Sequence, residues 1–124
     1  MKTDRPVNLN IFTIRFPLAA IVSITHRITG AILFVGIAFG LYALQLALSS
    51  PQGFDAAVEV SRSGFGAVVL LGLLLAVVFH LVAGIKHLLL DFHLGDSLEA
   101  AQNGAIAVII LTLVITGVLG VMLW

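Results

Sequence analysis

The sequence predicts an all-α integral membrane bundle of three transmembrane helices, and three observations carry that expectation. Of 124 residues, 60% are hydrophobic and only 10% charged, against about 45–50% and about 25% in water-soluble domains. Too few polar side chains remain to clothe a surface facing water. The charges are also grouped: none lies between Arg27 and Asp55, only His80 titrates between Arg62 and Lys86, and none follows Glu99. Each apolar run is long enough, at about 1.5 Å per residue, to cross a hydrocarbon core of about 30 Å. No water is present there to satisfy the backbone, so helix is the expected conformation.

Residues 1–124 read as one anchor domain with spans near 22–49, 63–87 and 102–123. The first helix is expected to start near Pro17, since proline is tolerated in a first turn; this places Ser23, His26 and Arg27 at membrane-surface depth. The segment does not read as a signal peptide, because a polar leader precedes it and no small-residue cleavage site follows a short apolar core. Ser49-Ser-Pro-Gln-Gly53 reads as a turn ending the first span. The second span runs to His87, and Asp91 to Gln102 reads as a polar connector. Gly36 and Gly40 on the first helix, and Gly117 and Gly120 on the third, are expected to allow close helix packing.

Lys2, Arg5, Arg15 and Arg27 face a single acid, Asp4, whereas the first loop carries Asp55 and Glu59 against Arg62. The positive-inside rule then places the N-terminus and the second loop in the cytoplasm, with Trp124 at the outer interface. Six basic residues balance six acidic ones, so there is no basic stripe for nucleic acid. With no cysteine, disulfides, thiolate metal sites and Cys nucleophiles are excluded. A redox centre here must be held by histidine or without a covalent ligand.

In so apolar a chain the polar residues near the membrane carry the information. Ser23, His26 and Arg27 share one helical face and could gather around an anion or a polar head group. On spacing alone, Arg27 snorkelling to lipid phosphates with His26 at the interface fits equally well. The second group, His80-x3-Gly84-x2-His87-x3-Asp91, keeps one stripe of a helix. His80 lies about 9 Å deeper than Lys86, and a lone intramembrane imidazole needs a partner. Axial ligation of haem b meets that need, with Gly84 and Ala76 leaving room for a flat macrocycle. A hydrogen bond to a neighbouring helix meets it too. Topology brings both groups to one leaflet, with haem propionates at His80 able to reach His26 and Arg27. His87, Asp91 and His93 sit at the cytoplasmic mouth, where solvated helix ends are the simpler account and proton entry the functional one.

At these residues the chain resembles the cytochrome b membrane-anchor subunit of bacterial succinate dehydrogenase, respiratory complex II. The resemblance runs through Arg5-Pro-Val-Asn-Leu9, Thr13-Ile-Arg-Phe-Pro17, Ser23-Ile-x-His-Arg-x-Thr-Gly30, Leu48-Ser-Ser-Pro-x-Gly-Phe54, His80-x3-Gly-Ile-Lys-His87 and Asp91-Phe92. It implies a multi-pass protein of the bacterial inner membrane, working in electron transport and the citric acid cycle. The implied partners are a second small membrane-anchor subunit, an iron–sulfur subunit and a flavoprotein subunit. Haem b would be shared with the second anchor, and ubiquinone would be the electron acceptor. By this resemblance His80 is an axial iron ligand, Ser23 and Arg27 are quinone-binding, His26 and Arg27 lie near the haem propionates, and Asp91 lies near proton entry. Thr29 and Lys86 stand where the family commonly has Ser and Arg; a lysine offers no planar fork. The chain alone is expected to have no enzymatic activity. Two other functions suit the residues: a proton-relay subunit of a small transporter, and a structural anchor without haem.

Overall fold

The computed structural model describes residues 7–124, so Lys2, Asp4 and Arg5, which weigh in the expected orientation, lie outside it. Four helices follow in order: α1 (Leu18–Ser49), α2 (Pro51–Arg62), α3 (Gly64–Asp91) and α4 (Leu98–Leu123). There is no strand among the described residues. Helices α1, α3 and α4 are each long and apolar enough to cross a membrane. At about 1.5 Å per residue they outreach a hydrocarbon core of about 30 Å, so their ends project or the rods tilt.

The extra element is α2, in the segment expected to be a turn and a loop. Its start is dictated locally: Ser50 is extended, its hydroxyl accepts from Gly53 N–H at 3.0 Å, and Pro51 occupies the first helical position. That is an N-cap followed by a residue whose missing N–H costs nothing there. Its sequence is amphipathic, and it packs on both α1 and α3. The same device starts the next two helices. Ser63 accepts from Gly66 N–H at 3.0 Å, and Ser97 accepts from Ala100 N–H at 3.1 Å. Helix α4 therefore begins at Leu98, inside the expected connector, with Glu99 placed favourably in its first turn. Between α3 and α4 the chain reverses through two left-handed residues, His93 (φ 60°) and Gly95 (φ 77°).

Helix α1 starts differently. Pro17 lies just before it and has no side chain able to cap. The orphan amide of Ala19 donates instead to Gln102 Oε1 on α4, at 3.1 Å. This bond joins the beginnings of two helices 83 residues apart in sequence.

The core lies at that end of the bundle. Val22 of α1, Ala83 of α3, and Ala105 and Val108 of α4 are buried together, with Leu18, Phe79, Val82 and Ile109 packed around them. Ala83 and Ala105 are fully buried. Their small side chains let the rods approach closely where lipid supplies no hydrophobic drive. Of the glycines expected to aid packing, Gly36 faces Leu73 and Gly120 faces Leu71, whereas Gly40 and Gly117 face open space within this chain.

Thr112 and Thr116 continue the inward face of α4, and their hydroxyl oxygens are buried without a hydrogen-bond partner among the described residues. Such a group costs about 1–3 kcal/mol. Thr112→Val keeps the shape and removes that cost, so it is expected to stabilise the assembled protein by about 1 kcal/mol. Thermal unfolding in detergent measures this; a lowered midpoint would mean that the hydroxyl is paired.

Candidate functional site

Ser23, His26, Thr29 and Gly30 come from α1, and His80, Gly84, His87 and Asp91 from α3. The expected stripe on α3 meets the expected face on α1, and histidines do most of the meeting. The His26 and His80 rings stack with centroids 4.1 Å apart and planes 12° from parallel. On its other side His26 approaches His87, with centroids 5.0 Å apart and planes tilted by 57°. The three imidazoles thus form one column with His26 in the middle. All three are half-buried, as is Ser23, while Arg27, Asp91 and His93 are exposed.

The ring of His80 is held in a defined way. Its Nδ1 lies 3.0 Å from the backbone carbonyl oxygen of His26 and 3.2 Å from Thr29 Oγ1. A carbonyl oxygen only accepts, so Nδ1 carries the hydrogen. Nε2 is left with its lone pair, and His80 makes no hydrogen bond through it among the described residues. The neighbouring ring carbon also rests on α1: a Cβ built on Gly30 would come 3.0 Å from His80 Cε1 and 3.6 Å from Nδ1. Glycine at this position lets the two helices approach closely enough for the Nδ1 bond to form.

Of the two positions expected to leave room for a macrocycle, Gly84 faces His26, whose Nε2 is 3.4 Å from where a Cβ would sit. Ala76 lines a partly open cavity of about 300 Å³, with Thr29, Phe79 and Thr112. Lys86 turns away from the column, because its stem lies over Gly104 of α4, 2.9 Å from a Cβ built there. The aliphatic part of this lysine therefore serves helix packing. Among the described residues no group of three or more His, Asp or Glu side chains could hold a metal ion by itself.

Three apolar spans, tied by an imidazole that bonds from one helix to another, define a helical membrane protein. Comparison with known proteins gives the particular family. Residues 1–119 match the family described as succinate dehydrogenase/fumarate reductase transmembrane subunit. The succinate dehydrogenase cytochrome b556 subunit of Paracoccus denitrificans is 37% identical over 90% of this chain and 92% of its own length. The subunit of the same description from Coxiella burnetii is 33% identical, with the whole of both chains aligned. A mitochondrial cytochrome b560 subunit from Sus scrofa is 31% identical over 89% of this chain and 66% of its own. The chain belongs to this family, among its succinate dehydrogenase cytochrome b members. With three candidate spans, it is a multi-pass protein of the bacterial inner membrane.

Proposed function

We propose that this subunit anchors succinate dehydrogenase in the membrane, would hold a haem b through His80, and lines the pocket where ubiquinone is reduced. The observation that carries this reading is the tautomer of His80. With Nδ1–H donated to the His26 carbonyl, the ring offers Nε2 to iron, as metal-bound histidines do when the other nitrogen is engaged. A haem held there would supply one-electron chemistry beside the quinone, with a further ligand from the second small anchor subunit and electrons reaching the site from the flavoprotein through the iron–sulfur subunit.

Ser23 and Arg27 lie one turn apart on α1. In this reading the serine hydroxyl donates to one quinone carbonyl. The guanidinium stabilises the negative charge that builds on the ring oxygen as it is reduced. Its reach as a fork of donors also lets Arg27, with His26, pair with haem propionates. His87 and Asp91, one turn apart at the end of α3, bring protons in from the aqueous side. The basic leader and Arg27 favour the cytoplasm for that side.

The test separates quinone chemistry from assembly. Arg27→Leu is expected to slow ubiquinone reduction by the purified complex about 100-fold, the size of effect of losing one preorganised donor. Ser23→Ala is expected to slow it up to about tenfold, one ordinary hydrogen bond. Succinate oxidation by an artificial acceptor persists in both. Equal loss with both acceptors would count against the quinone site. A reduced spectrum without a b-type band in the wild-type complex would leave only a haem-free anchor.

A further inference from the structure

Thr29 is buried at 8% exposure on α1, against the edge of the His80 ring that carries Nδ1. Its hydroxyl has one hydrogen, and two helix carbonyls compete for it: Thr25 O at 3.0 Å and His26 O at 2.9 Å. That hydrogen is therefore committed to its own helix. The lone pairs of Oγ1 remain, 3.2 Å from His80 Nδ1. Nδ1–H thus meets two acceptors at once, the His26 carbonyl and the Thr29 hydroxyl. A β-branched side chain bonded back to its own helix is held in one rotamer, so the second acceptor is a fixed one. Thr25 takes the same back-bonded form one turn earlier, through Ile21 O at 2.9 Å. Thr112 and Thr116, by contrast, have no such partner. The back-bond is thus shared by the two threonines of α1 and not by every threonine in these spans.

We propose that Thr29 is a positioning residue for His80: its hydroxyl, as the second acceptor of Nδ1–H, aims Nε2 and raises its basicity, lowering the reduction potential of the iron bound there. This role rests on His80 being a haem ligand, as proposed above. Acceptors on the outer nitrogen push electron density towards the metal-facing one and favour the more highly charged ferric state. Removing one acceptor must then favour ferrous iron.

The experiment is a redox titration of the haem in the purified four-subunit complex, read optically, with no assay of turnover. Thr29→Val keeps the β-branch and loses the oxygen. At a fixed potential it is expected to shift the ferric-to-ferrous ratio about tenfold, a rise of about 59 mV for one electron. Thr29→Ser restores the oxygen and is expected to titrate like the wild type. An unchanged or lowered potential in Thr29→Val, or a serine variant that behaves like the valine one, overturns the role. If the valine variant loses haem, Thr29→Ala is titrated in its place: a raised potential supports the role, and an unchanged or lowered one overturns it. Haem lost from both but kept by serine assigns the effect to the hydroxyl. Failure of the ligand assignment itself looks different, since His80→Ala would then keep a wild-type spectrum.

Discussion

His80→Ala in the assembled complex is expected to abolish the low-spin b-type absorption completely, in a reduced-minus-oxidised spectrum. No neighbouring group can take over. His26 is the nearest imidazole, but its ring lies face to face with His80, with its centroid displaced by 4.1 Å, so it does not occupy the place of the His80 ring. His87 is one ring further away, beyond His26. Among the described residues no alternative cluster of ligating side chains exists. The variant also removes the hydrogen bond to the His26 carbonyl, which loosens α3 from α1 at the same point. An unaltered spectrum would remove His80 from the ligand role outright.

Gly30→Ala is expected to be nearly as damaging, through geometry alone. The new methyl would sit 3.0 Å from His80 Cε1, closer than carbon atoms rest. The ring cannot swing away without giving up its Nδ1 bond or its stack on His26. Overpacking of this kind costs about 1–3 kcal/mol, so haem is expected to be held about five- to 150-fold more weakly. Haem content after purification measures it. Gly36→Ala is the control. Its methyl would come closer still, 2.7 Å, but to Leu73 Cδ2, the far end of a side chain that can change rotamer. Haem content near that of the wild type is expected there. Equal losses in the two variants would show that helix spacing in general, and not the His80 ring, sets the effect.

Much of this architecture can be read from the chain because lipid imposes a simple rule. Long uncharged runs must be helices, and an imidazole within one needs a partner, so the three spans and His80 are legible without a structure. Helix α2 is less visible because Pro51 and Gly53 carry turn signals. The decisive sign is Ser50 directly before a proline, which starts a helix as readily as it ends one. Ser97 followed by Glu99 is the corresponding sign for the start of α4. Rotation of one helix against another cannot be read from spacing. For that reason Gly84 reads in sequence only as open space on its helix, and the fold adds that His26 is what faces it. The hydroxyl of Thr29, three residues beyond His26, gives no sign in sequence of its contact with His80. Nothing in residues 98–102 marks Gln102 as the group that completes α1.

That last contact bears on how the protein is made. Ribosomes deliver the chain from its N-terminus, and the first rod enters the bilayer with the amide of Ala19 still lacking its acceptor. Gln102 emerges only after one further membrane crossing has been synthesised. The latch between the first and third rods therefore closes late in biogenesis, and a nascent chain cut short before it holds that end only through the contact of the first two rods.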